Sequence, residues 1–165
     1  MDLRFEPMTI DHSNTVMSIF NYYIEHSMAA YPESPFPDAA FKVFLDKAEG
    51  YPAYVIMDDD NKKAVGFCLL HAYNPLPTFK HTAELTYFLD PNEIGKGIGS
   101  MALQKLEEEA RESGITKLLA SISSENTPSI NFHLKHGFEE CGRLHKIGIK
   151  HNKTFDVVWM EKEIK

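Results

Sequence analysis

The chain of 165 residues has little of what marks several other classes of protein. It has only two cysteines, Cys68 and Cys141, and their spacing fits neither a metal site nor a disulfide framework. Both lie in apolar strand patterns, which predicts that both are buried in the core. No apolar run approaches the roughly 20 residues of a membrane-spanning helix, and the first residues carry no apolar signal segment. We therefore expect a cytoplasmic protein with no metal site and no membrane attachment.

Positive charge is also scarce. The formal net charge is -7, which argues against nucleic acid as the main partner. Repeats, low-complexity segments and linker-like stretches do not occur. A length of 165 residues suits one domain with its own core, so residues 1–165 are predicted to form a single domain.

The apolar pattern predicts a mixed α+β fold of antiparallel hairpins and helical crossovers. Predicted caps mark three of the helices: Asp11 or Ser13 for the first, Asp38 for the second and Thr127 for the last. Strands are predicted near residues 3–8, 54–57, 64–72, 82–89, 117–123, 138–150 and 155–162. Helices are predicted over 16–24, 39–48, 101–111 and 128–136.

A glycine-rich turn, Gly95–Ser100, lies between the strand at 82–89 and the helix at 101–111. Such a turn exposes successive backbone N–H groups at the positive end of a helix dipole, which favours a phosphate. Its spacing matches neither the G-x-G-x-x-G dinucleotide loop nor the Gly-Lys-Ser/Thr triphosphate loop. A pyrophosphate clamp of another type is the functional interpretation, and a structural strand–helix joint is the alternative.

The turn resembles the acyl-CoA pyrophosphate loop of the GNAT superfamily of N-acetyltransferases, whose signature is Gln/Arg-x-x-Gly-x-Gly/Ala. The segment Ser124–Phe138 resembles the second signature of that superfamily. Tyr22–Ser27 and Lys150–Val157 resemble its phosphinothricin acetyltransferase branch. Ile94 stands where the signature has Gln or Arg, so the clamp is left with backbone N–H groups and with Lys96 as a helper.

The resemblance implies the GNAT acyl-CoA N-acyltransferase fold, in which helices flank a mixed, mostly antiparallel central sheet in an α/β/α arrangement. It also implies acetyl-CoA as the co-substrate and a homodimer. Phe88 and Leu89 would offer backbone groups to the pantetheine amides in the manner of an added strand. The residues implied to bind the cofactor are Phe88, Leu89, Gly95, Lys96, Gly97, Ile98, Gly99, Ser100 and Asn126. Asn126 has an alternative interpretation as a helix-entry residue.

Transfer of an acetyl group to an amine requires that the amine lose a proton and that the thiolate leave. Glu84 is a charged residue in an apolar strand, on the same face as Thr86 and Phe88. It is either a partly desolvated general base or an edge-strand carboxylate in water, and the resemblance favours the base. The resemblance places His133 near the cofactor sulfur, as a base or as a donor to the thiolate.

Tyr31 and Phe36 belong to the proline-rich loop Tyr31–Pro37, which by the resemblance is a wall of the acceptor pocket. An anionic acceptor would require a positively charged side chain in its pocket. Arg143 and the run Lys146–Lys153 are candidates, although a solvated hairpin also explains that run. The predicted function is an acetyl-CoA-dependent N-acetyltransferase acting on a small amine, an amino acid or an analogue such as phosphinothricin or methionine sulfoximine. A protein or peptide N-acetyltransferase and a non-catalytic acyl-CoA sensor are the alternatives.

Overall fold

A computed structural model describes all 165 residues. Seven strands form one sheet in the order β1-β2-β3-β4-β5-β7-β6. Only β4 and β5 pair in parallel, so the predicted mixed, mostly antiparallel sheet flanked by helices is confirmed. The strands are β1 (Leu3–Pro7), β2 (Ala53–Asp58), β3 (Lys63–Ala72), β4 (Thr82–Leu89), β5 (Lys117–Ser123), β6 (Glu139–Lys150) and β7 (Lys153–Glu163). The helices are α1 (Ser13–His26), α2 (Phe41–Ala48), α3 (Ile98–Glu112) and α4 (Thr127–Lys135).

The helix starts differ from the predicted caps. His12, not Asp11 or Ser13, precedes α1, because a 3-10 turn over Ile10–His12 comes first. Another 3-10 turn takes up Asp38 and delays α2 until Phe41. Asn126 rather than Thr127 caps α4, because its Oδ1 accepts the N–H of Ser129 at 3.3 Å.

The core lies on both faces of the sheet. On one face α3 packs through Ala102 and Leu106 against residues that include Ile56 and Cys68. On the other face α1 and α2 pack against alternate residues of the same strands, such as Phe67. Because successive residues of a strand point to opposite faces, β3 is buried on both sides, which agrees with its unbroken apolar run.

The prediction that Cys141 is a core residue is wrong, although Cys68 is fully buried. Cys141 lies in β6, an edge strand of the sheet, which pairs with β7 alone. Every residue of β6 from Glu139 to Ile147 is exposed. The apolar alternation of an edge strand therefore resembles that of a core strand in the sequence but meets no covering layer.

The sheet is open between β4 and β5. Their ladder has three register pairs, from Thr82↔Lys117 to Glu84↔Leu119. Both strands continue beyond this ladder, to Leu89 and Ser123, without pairing with each other. Residues on both faces of the sheet therefore border one gap. None of the helices combines the length and apolarity needed to cross a membrane.

Candidate active site

A cavity of about 1010 Å³ occupies the gap between β4 and β5. Its lining includes β4 from Glu84 to Leu89 and β5 from Ala120 to Ser123. The glycine turn and α4 supply further lining residues, and so do α2 and the proline-rich loop. One cavity therefore joins the predicted cofactor turn to the predicted acceptor wall.

The glycine turn is built for an anion. Gly95 and Gly97 have φ of +84° and +81°, values that favour glycine, and Gly97 directly precedes α3. The first intrahelical bond runs from the N–H of Met101 to the carbonyl of Gly97, at 3.2 Å. The N–H groups of Ile98, Gly99 and Ser100 therefore have no partner within the helix, and all three residues line the cavity.

Two side chains beside the turn differ in what they offer. The Nζ atom of Lys96 lies 2.7 Å from Oε2 of Glu93, and Lys96 is not among the lining residues. The ion pairs of Glu93 with Lys63 and Lys96 hold its pKa below its usual value. Ile94 borders the cavity and is 59% exposed. The predicted helper role of Lys96 is therefore not supported, and the turn offers backbone donors alone.

The backbone of β4 alternates between β3 and the gap. The N–H of Asp90 donates to the carbonyl of Val65 at 2.8 Å, so even-numbered residues of β4 direct their backbone groups to β3. The backbone of Phe88 therefore belongs to the sheet, contrary to the prediction. Tyr87 and Leu89 face the gap instead, and the Leu89 carbonyl also accepts the Tyr23 hydroxyl at 2.6 Å.

Asn126 and Ser100 lie at the α4 side of the cavity. Asn126 uses its Oδ1 to cap α4, so its helix-entry interpretation is confirmed, while its Nδ2 has no protein partner. Ser100 Oγ lies 2.9 Å from Nε2 of His136, which joins the start of α3 to the end of α4. Both residues line the cavity.

Glu84 lies where β4 and β5 separate. Its side chain is 21% exposed, and burial raises the pKa of its carboxyl, while Lys47 opposes that shift. Its Cα partner across the β3–β4 ladder is His71, whose Nε2 lies 4.0 Å from Oε2 of Glu84. His71 was not predicted from the sequence. The strand pairing alone would have placed it opposite Glu84.

His133 is buried, 3% exposed, and both of its ring nitrogens are occupied. Nδ1 lies 2.7 Å from the carbonyl oxygen of Ser129, which can only accept, so Nδ1 carries the proton. Nε2 then accepts a hydrogen bond from the hydroxyl of Tyr87. Burial lowers the pKa of His133 and raises the pKa of Tyr87 well above its usual value. The pair is therefore neutral, with a fixed tautomer.

Glu84 and His133 approach the gap from opposite sides. Glu84 shares its face of β4 with Phe88, which packs on Phe20 of α1, and the face of Tyr87 meets α4. The two predicted catalytic side chains are therefore separated by the sheet and meet only through the cavity, which both line.

Tyr31 and Phe36 both line the cavity, as predicted for an acceptor wall, and each is held from behind. The ring of Tyr31 stacks on that of Phe155 with centroids 5.5 Å apart. The amide of Asn21 binds both the N–H and the carbonyl of Phe36, at 2.9 and 2.8 Å. The loop is therefore fixed to α1 and to β7.

Gly148 leaves the space that the ring of Phe155 occupies. A Cβ on Gly148 would lie 2.3 Å from the nearest atom of that ring. Gly148 and Phe155 are register partners in the β6–β7 ladder. The position of Tyr31 thus depends on a glycine that does not line the cavity.

The predicted positive partners of an anionic acceptor lie elsewhere. Arg143 pairs with Glu140 and Asp156 at 3.3 and 3.1 Å. Lys150 is 1% exposed, and its Nζ donates to the carbonyls of Ile24, Ser27 and Ala30 at 2.7–2.8 Å. Neither lines the cavity, so these candidates are wrong, and the alternative of a solvated hairpin fits the exposed Lys146, His151 and Lys153. The cations that do line it are Lys47 and Lys135.

The sequence and the fold of this chain are both similar to those of known acetyltransferases. The sequence model of the acetyltransferase (GNAT) family matches residues 18–138. The L-methionine sulfoximine/L-methionine sulfone acetyltransferase of Pseudomonas aeruginosa PAO1 is 29% identical over 148 residues, covering 88% of this chain and 86% of that protein. The crystal structure of a ribosomal-protein-alanine N-acetyltransferase from Brucella melitensis has a TM-score of 0.88, 30% identity, and 99% and 100% coverage. A phosphinothricin acetyltransferase from Sinorhizobium meliloti in complex with AcCoA shares the fold, with a TM-score of 0.91, 23% identity, and 99% and 89% coverage.

Proposed function

Because this chain belongs to the GNAT acetyltransferase family and is an acetyl-CoA-dependent N-acetyltransferase, we propose that its acceptor is the α-amino group of a small amino acid or analogue. One observation carries the proposal: a single cavity joins the glycine turn to Glu84 and to the aromatic wall of Tyr31 and Phe36. The P. aeruginosa relative, which is named for two methionine derivatives, supports the same class of acceptor.

The donor would lie along the gap between β4 and β5. The free N–H groups at the start of α3 would hold the pyrophosphate. The gap-facing backbone of Tyr87 and Leu89 would bind the pantetheine amides as an added strand, and the Nδ2 of Asn126 is available beside it. The thioester would then lie between Glu84 on one side and the Tyr87–His133 pair on the other.

Glu84 is proposed to take a proton from the acceptor ammonium, directly or through one water. The neutral amine then attacks the thioester carbonyl, so that a C–N bond forms, the C–S bond breaks and the electron pair stays on sulfur. The second proton lost by nitrogen ends on that thiolate. His133 is proposed to hold the Tyr87 hydroxyl in place on the leaving-group side, because its own Nε2 accepts the hydrogen of that hydroxyl.

A thiol-release assay with acetyl-CoA tests this function. Its acceptors are L-methionine sulfoximine, L-methionine sulfone, phosphinothricin, common amino acids and a peptide with an N-terminal alanine. We expect turnover with at least one free amino acid or analogue, and a product carrying one acetyl group on its α-nitrogen. Turnover of the peptide alone would overturn the assigned acceptor class. Acetyl-CoA binding without turnover of any amine would indicate a sensor.

The proposal includes a homodimer in the cytoplasm. The homodimer follows from the resemblance, and the location follows from the cysteine content. Light scattering after size exclusion should give twice the mass of the chain, and the mass of a single chain would contradict the dimer.

A further inference from the structure

The imidazole of His71 borders the cavity beside Glu84, and one of its two ring nitrogens has no hydrogen-bond partner. It is 8% exposed, lines the cavity and is the cross-strand partner of Glu84. Its Nδ1 lies 3.0 Å from the carbonyl of Ala72. A carbonyl can only accept, so Nδ1 carries the proton and Nε2 has a free lone pair.

No donor of the protein lies between His71 and Glu84. The separation of 4.0 Å between Nε2 and Oε2 is too long for a direct hydrogen bond. Neither the carboxylate of Glu84 nor the Nε2 of His71 has another hydrogen-bond partner in the protein. Two proton acceptors therefore stand side by side, open to the cavity and without a shared proton.

We propose that His71 is a second catalytic residue, whose Nε2 acts with the Glu84 carboxylate to bind the ammonium group of the acceptor and to take up its proton. The inference rests on the proposed function. An ammonium group has three N–H donors, so it can donate to both residues at once. This pairing selects a primary amine over a hydroxyl, which has a single donor.

The step balances without any further reactant. One proton moves from R–NH₃⁺ to the His71–Glu84 pair and passes from there to solvent. The neutral nitrogen forms the C–N bond, sulfur keeps the C–S electron pair, and the second nitrogen proton ends on the thiolate. The products are the N-acetyl amine and free CoA.

The surroundings suit the uptake of a proton by this pair. Burial lowers the pKa of His71, and Lys47 of α2 lowers it further, so the imidazole is neutral at physiological pH. Burial raises the pKa of Glu84, so the two values move toward each other. Tyr31 is a further titratable group nearby: burial raises the pKa of its hydroxyl, and the charge of Glu84 also raises it.

The test is the pH dependence of kcat/KM in the wild type, in His71→Asn and in the control variant His81→Asn. His81 is exposed and does not line the cavity. We expect the acid limb of the wild type and of His81→Asn to contain two ionisations. His71→Asn should keep one, and its plateau should fall roughly 100-fold, the scale of a lost proton acceptor.

A further variant separates chemistry from packing. His71→Gln can accept a hydrogen bond but does not titrate in this range. It should preserve the KM of the amine better than His71→Asn does, while it also lacks the second ionisation. Because the pair acts as a unit, adding Glu84→Gln should cost less than the product of the single effects.

The outcomes distinguish this inference from the proposed function. If His71→Asn and His71→Gln keep both ionisations and stay within twofold of the wild-type kcat/KM, His71 is a packing residue and the inference is overturned. If the wild type acetylates no amine, the proposed function fails first. Loss of activity without a change in the acid limb would also overturn the inference. The melting temperature and the acetyl-CoA affinity of each variant show whether it is folded.

Discussion

The hydroxyl of Tyr87 donates a hydrogen bond to Nε2 of His133, and this bond leaves the histidine without a free nitrogen. The two rings stack with centroids 5.6 Å apart and an interplanar angle of 24°. The family resemblance implied that His133 is a base or a donor to the thiolate. Because both ring nitrogens are occupied, the role proposed for His133 is that of a positioning residue that holds the Tyr87 hydroxyl.

Replacing Tyr87 with phenylalanine should raise the pKa of His133 while leaving the ring buried. The hydroxyl stabilises the neutral imidazole, and its removal takes that stabilisation away. NMR titration of the His133 ring should show a midpoint at higher pH than in the wild type, where burial lowers it from 6.5. Tyr73→Phe, at an exposed tyrosine, is the control. An unchanged His133 midpoint in Tyr87→Phe would contradict the assigned hydrogen bond.

Replacing Glu84 with glutamine should reduce kcat/KM by about 10²–10⁴-fold, the usual contribution of a general base. The affinity for acetyl-CoA should not change, because the glycine turn is left intact. In the wild type, activity should fall as the pH drops through the Glu84 pKa, since only the carboxylate can accept a proton. Burial places that pKa above 4.5, so the acid limb should lie above that pH.

The matched control for Glu84→Gln is Glu112→Gln, at an exposed glutamate of α3 outside the cavity lining. It should retain wild-type kinetics and the same acid limb. If Glu84→Gln retains kcat/KM within twofold, the carboxylate is not the base.

Gly97→Ala should lower the affinity for acetyl-CoA in addition to its cost in folding stability. Its φ of +81° strains any residue with a Cβ, by roughly 1 kcal/mol. Gly114 has the same φ of +81°, also with nothing within 4 Å of a Cβ, and it follows α3 at the far end. Gly114→Ala should therefore lose a similar amount of stability, measured by denaturant unfolding. Only Gly97→Ala should show a higher Kd for acetyl-CoA in calorimetry, and equal affinities would contradict the clamp.

Gly148→Ala should raise the KM of the amine and leave the Kd of acetyl-CoA unchanged. The added methyl group displaces the ring of Phe155, on which Tyr31 stacks. Gly142→Ala is the control in the same strand, because nothing lies within 4 Å of a Cβ there. Amine saturation curves for both variants decide the point. A KM increase of equal size in both would show that Phe155 does not hold Tyr31 in place.

The parts of the site that a short stretch of chain determines were predictable. The glycine turn was found from its residues because positive φ and the start of a helix leave a local signal. Glu84 was found because a charge in an apolar strand stands out. The strand positions were found because the alternation of side chains along a strand is also a local signal.

The parts that depend on distant pairing were not. His71 gains its meaning only from the register that sets it opposite Glu84. Lys150 belongs to a charged run, yet its Nζ is buried and donates hydrogen bonds to carbonyls of residues more than 100 positions earlier in the chain. Cys141 carries the apolar alternation of a core strand, and only the strand order shows that β6 is an edge.

The wall of the acceptor end is supported by a hairpin that supplies none of the proposed reacting groups. The ring of Tyr31 stacks on the ring of Phe155, and Phe155 occupies the space that a side chain at Gly148 would fill. Substitutions in this hairpin can therefore reshape which amines fit while the donor turn and the proton acceptors stay as they are. Evolution can vary substrate choice and catalytic power here in separate steps, and so can an engineer who wants a new acceptor.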